Sequence, residues 1–105
     1  MPAKLPEAAQ RTADAFPDVW NAYQALGAAT EKAGPLDDRT RRLIKLSIAI
    51  GASFDSAARS HIRRALREDG ISADELRHVA LLAITTTGWS RGVAALDWIE
   101  QVLNE

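Results

Sequence analysis

The sequence predicts an all-α fold, a compact bundle of five to six helices. Three observations predict it. Apolar residues recur at three- and four-residue intervals through most of the chain, no segment sustains a strand-like alternation, and caps, glycines and prolines cut the 105 residues into helix-length pieces. The length suits one domain with a modest core. We expect an N-terminal helical arm over residues 1–15 and a helical domain over 16–105.

Residues 3–15 form a short first helix. Pro17 fits the first turn of a second, along which Val19, Trp20, Tyr23 and Leu26 recur at helical spacing until Gly34-Pro35 stops it. Asp37 or Asp38 can cap a third helix, which runs through Thr40 to about Ile50 and closes near Gly51. Asp55 or Ser56 opens a fourth, which ends at Gly70, a residue suited to a left-handed cap. Ser72 and Glu75 have the spacing of a capping box, and the helix they start runs to about Thr87 and stops at Gly88. Ser90 can cap a last helix reaching about Asn104.

The third and fifth helices are apolar nearly all round, through Leu43, Ile44, Leu46, Ile48, Ala49 and Ile50 in one and the run 79–84 in the other. Such helices need cover on several sides. A domain of this size has little to give, so a homo-oligomer of closed symmetry is expected. The alternative is that the remaining helices wrap both.

Composition narrows the function. The net charge of −1 gives the molecule no general attraction to nucleic acid or anionic membrane. Without cysteine, this chain forms no disulfide, thiolate metal site or dithiol redox centre. The N-terminus has no apolar core of a secretory signal, and the longest apolar stretches are too short or too interrupted to span a bilayer. A cytoplasmic protein with no membrane partner is expected. Residues 36–70 hold eight basic residues against five acidic, +3, leaving −4 elsewhere. Such a face could steer an anionic substrate. An ion-paired, solvated surface explains it as well, and with no recognition motif no nucleic-acid partner is expected.

His61 is the leading candidate for chemistry. The inward stripe of its helix reads Ala57, Ala58, Ile62, Ala65 and Leu66, with His61 on it. The small alanines leave room beside the ring, as a ligand pocket needs. A histidine there can act as general acid or base near neutral pH, or be a core residue satisfied by a backbone carbonyl. His78 reads as structural or interfacial, and Trp20, Trp89 and Trp98 as packing residues. Asp14, Asp18 and Asp97 have no metal-ligand spacing with either histidine, so neither metal nor cofactor is expected.

One ordered pattern adds to this: Phe16, Trp20, Gly34-Pro35-Leu36-Asp37, Thr40-Arg41, Leu43-Ile44, Leu46, then His61, Gly70-Ile71-Ser72, Glu75-Leu76 and Gly88. It resembles the carboxymuconolactone decarboxylase and alkylhydroperoxidase-D-like superfamily over about residues 16–103. The resemblance implies an all-helical bundle assembling as trimers or hexamers. Redox-active relatives carry Cys-x-x-Cys-x-x-x-His. Here the histidine is His61, and Phe54 and Ala57 stand at the cysteine positions, which removes thiol peroxidase activity. A glutamate that relays protons in those relatives corresponds to Arg42. Pointing inward, Arg42 would depress the imidazole pKa and offer a carboxylate clamp; pointing out, it is one more surface charge. Residues 85–89 resemble a stretch near the site in relatives, so Thr87 and Trp89, with Ala57, are expected to line a substrate pocket.

What remains resembles the thiol-free decarboxylase branch. It implies a carboxylated small-molecule substrate, a lactone or keto acid, with His61 as acid/base and Arg42 or a neighbouring arginine holding an anionic group. The alternative is a degenerate member that keeps the fold as a small-molecule-binding or oligomeric interaction module.

Overall fold

The computed structural model describes residues 5–105. Its regular structure is six helices, α1 (Glu7–Ala15), α2 (Pro17–Lys32), α3 (Asp38–Gly51), α4 (Asp55–Arg67), α5 (Ala73–Thr87) and α6 (Trp89–Leu103). The fold is all-α, as the periodicity predicts. Residues 3 and 4 of the first expected helix lie outside the described residues.

The described residues up to Asp37 form one compact unit and Asp38–Glu105 another. In the first, α1 packs on α2, which begins with Pro17 at its first position, where the missing N–H costs nothing. Helix α2 buries none of its residues, and Val19, Tyr23 and Leu26 are each more than half exposed.

In the second unit α5 and α6 pack closely on each other, and α3 and α4 form a second pair against them. Leu46, Ile50, Ile62, Leu76 and Ile99 are its largest fully buried side chains. Gly92 permits the α5–α6 approach, because a Cβ there would lie 2.2 Å from the Ile84 side chain and 3.0 Å from the Ala80 carbonyl. Ser72 and Glu75 make both bonds of the capping box that starts α5.

Three helix ends differ from expectation, the first being α1, which starts only at Glu7, after Leu5 and Pro6. Helix α4 stops at Arg67, and the next three residues make a turn through Gly70 (φ +64°), which brings the Ile71 N–H to the Ala65 carbonyl at 3.1 Å. Helix α6 starts at Trp89, because Gly88 (φ +115°) swings the backbone straight out of α5; Ser90 therefore lies inside α6 and caps nothing.

The inward stripe of α4 also needs correction. Its buried residues are Ala58, Ile62 and Ala65, spaced four and three apart, whereas Ala57 is exposed. At 3.6 residues per turn Ala57 falls about 100° from Ala58, beyond the edge of so narrow a stripe. His61 sits at that edge, half-buried. Nor do the helices of this unit cover α3 and α5 all round: Ile48 is 64% exposed and Leu82 56%.

Candidate functional site

The α3–α4 pairing brings Arg42 to His61, with Nη1 of the guanidinium 2.8 Å from Nδ1 of the ring. A guanidinium has only donors, so Nδ1 must be the acceptor and the proton of the neutral ring sits on Nε2. Arg42 is itself held from the other side. Its Nε donates to Oδ2 of Asp69 at 2.7 Å, and Nη2 lies 3.9 Å from Oε2 of Glu68. The turn at Gly70 thus serves the site, because it places Asp69, 11% exposed, over a guanidinium that is 15% exposed. A largely buried charge pair of this kind orients its members more than a surface pair does.

The ring is electrically isolated from protons. Burial first, and then the positive charges of Arg42, Arg64 and Lys45, push the His61 pKa down to about 4. At pH 7 about one molecule in a thousand carries an imidazolium. The ring therefore meets its surroundings as a neutral Nε2–H donor.

Arg64 follows His61 by three positions on α4, and Lys45 follows Arg42 by three on α3, so each pair shares a helix face. Arg64 has a loose partner in Glu68 at 4.0 Å. Lys45 is exposed and has no ion pair among the described residues. A neutral N–H donor beside two cations, one of them unpaired, suits an oxygen anion or a carbonyl that gains negative charge.

Much of the remaining basic face is tied up in ion pairs. Arg59 meets Asp55 at 3.0 Å, Arg63 meets Glu105 at 2.5 Å, and Arg39 pairs with Glu75 and Arg41 with Asp38. Among the described residues no three His, Asp or Glu side chains come together as a metal site would require.

The other expected site residues are dispersed. Ala57 is exposed on the first turn of α4, and Trp89 is 70% exposed at the start of α6. Thr87 lines a cleft of about 170 Å³ between the C-terminal halves of α3 and α5, walled by Ile50, Val79, Leu82 and Ala83. Neither His61 nor Arg42 lines that cleft. Sequence reasoning missed two residues. Asp69 could have been found from Gly70, whose left-handed turn folds its predecessor back toward the helices. Lys45 could have been found from its three-residue spacing to Arg42.

The arrangement is that of a helical bundle whose fourth helix presents a neutral, cation-flanked histidine without thiols. A sequence model of the Carboxymuconolactone decarboxylase family matches residues 17–101, and the chain belongs to that family. An uncharacterized protein of Haemophilus influenzae is 40% identical to it over 50 residues, which cover 48% of this chain and 44% of that protein. The match thus spans less than half the length of that curated relative.

Proposed function

We propose that the protein is a decarboxylase-type lyase acting on a carboxylated lactone or β-keto acid, with His61 as a hydrogen-bond donor to the reacting carbonyl. The observation that carries this reading is the Arg42–His61 bond, which leaves Nε2–H as the free end of the ring. In such a reaction the bond to the carboxylate carbon breaks, CO₂ leaves, and the electron pair moves into the enolate of the neighbouring carbonyl. A fixed neutral donor stabilises that oxygen as its charge grows and gives up no proton to it. The carbon then takes a proton from solvent.

A pKa of about 4 disfavours the acid/base role expected from the sequence and favours this one. The Arg42 guanidinium is occupied by Asp69 and His61, which favours the neighbouring arginine, Arg64, for the anion-holding role, joined by Lys45. The test is CO₂ release from a panel of carboxylated lactones and β-keto acids, including γ-carboxymuconolactone. Release is expected, with His61→Gln lowering kcat by about 10²-fold, the scale of one oxyanion donor, and Lys45→Met mainly raising KM. Unchanged turnover in His61→Gln would remove His61 from the mechanism.

A second reading, a binding or interaction module working as a trimer or hexamer, is favoured by the exposed apolar side chains of α2, α3 and α5. It predicts no CO₂ release from folded protein and a multimeric mass by light scattering.

A further inference from the structure

The cleft between α3 and α5 takes no part in the proposed chemistry, and its lining carries no charged side chain. Its polar side chains are three hydroxyls, of Ser47, Thr86 and Thr87. Each gives its proton to its own helix: Ser47 Oγ to the Leu43 carbonyl at 2.7 Å, Thr86 Oγ1 to Leu82 at 2.8 Å and Thr87 Oγ1 to Ala83 at 2.9 Å. A hydroxyl has one proton and two lone pairs, so what these groups have left to offer is acceptance. Turning a proton toward a ligand would forfeit the bond it already makes.

Backbone groups do not change that character. At the end of α3 the carbonyls of Ile48 and Ile50 accept from the Ala52 and Ser53 amides, and Gly51 accepts from Nη1 of Arg91 at 2.7 Å. The Arg91 guanidinium is committed there and is not part of the lining. A carboxylate in this cleft would bring acceptors to acceptors and lose its water without gaining a cation. An apolar molecule with one O–H would bury its body against the aliphatic walls and give its proton to a threonine oxygen.

We propose that this cleft is a binding site for a small, neutral, mostly apolar alcohol, and that it rejects carboxylates. At about 170 Å³ it is smaller than a drug-sized pocket and fits a single ring or a short alkyl chain. The selectivity is opposite to that expected at Lys45 and Arg64, so the site stands apart from the decarboxylase reading and survives its failure.

The probes are benzyl alcohol, toluene and benzoate, titrated into the full chain and followed by amide NMR shifts. Benzyl alcohol is expected to give saturable shifts centred on Gly51, Ala83, Thr86 and Thr87, tighter than toluene, while benzoate leaves these amides unmoved. Thr86→Val with Thr87→Val keeps the shape but removes two acceptors. It should weaken benzyl alcohol about three- to tenfold, the worth of one hydrogen bond, and leave toluene unchanged. Retained toluene binding also reports that the variant is folded. Benzoate binding the same amides as tightly, benzyl alcohol binding no better than toluene, or no saturable shift with any probe would each overturn the proposal.

Discussion

Arg42 donates to Nδ1 of His61 over 2.8 Å, and this one bond fixes both the tautomer and the charge of the ring. Where the resemblance to redox relatives puts a proton-relaying glutamate, this chain has a permanent cation, anchored by Asp69 from the turn after α4. The electrical sense of the site is thereby reversed. A carboxylate would encourage the imidazole to take a proton, whereas the guanidinium discourages it.

Arg42→Met keeps much of the side-chain length and removes every donor. It strands the largely buried Asp69 carboxylate, so unfolding stability should fall by about 2–4 kcal/mol, toward the cost of breaking a buried pair from one side. Urea denaturation measures this. A loss under about 0.5 kcal/mol would mean that the pair behaves as an exposed one.

The His61 shift sets a pH window. In the unfolded chain the ring takes its proton near 6.5, and in the folded protein near 4. Between these values the unfolded state binds the extra proton, so stability is full above pH 6.5, declines as pH falls through the window, and levels off below about 4. Glu75 acts lower. The Arg39 hydrogen bond first, then the Ser72 amide, hold it at about 2 against 4.5, so its contribution is present above 4.5 and lost as pH falls toward 2. His61→Gln should flatten the stability profile between 6.5 and 4 and leave the lower limb in place. An unaltered upper limb in urea midpoints would assign that slope to another group.

Gly92→Ala tests the packing that carries the bundle. The added methyl would meet Ile84 at 2.2 Å and backbone at 3.0–3.1 Å, and the backbone of α5 cannot move aside as a side-chain tip can. A destabilisation of about 1–3 kcal/mol is expected from overpacking, read as a lower thermal midpoint. A gain in stability, as an ordinary helical Gly→Ala would give, would show that α5 and α6 can separate at little cost.

The fold was legible because its punctuation is local. Pro17, the Ser72–Glu75 box, Gly70 and Gly88 each act through their own backbone within a few residues, and each marks a helix boundary to within a turn. The site was half legible. His61 stands out by type and setting, and the inward option for Arg42 could be written down, but which way a guanidinium points depends on what lies opposite. The decisive partner is Asp69, 27 positions along the chain and brought over only by the turn at Gly70. Thr87 failed to join His61 for the same reason. Its place follows from how α5 packs on α3, which no spacing in the sequence encodes. Ala57 shows the limit of periodicity, since a one-residue error on a narrow stripe moves a side chain from core to solvent.

The most direct test of the central claim is the ¹⁵N NMR spectrum of the His61 ring, followed from pH 8 to pH 3. An unprotonated Nδ1, a protonated Nε2 and a titration midpoint near 4 are predicted, with the midpoint rising in Arg42→Met. A proton on Nδ1, or a midpoint near 6.5 in the unmutated protein, would contradict the account: Arg42 would not be holding the ring, and His61 would return to being an ordinary acid/base histidine.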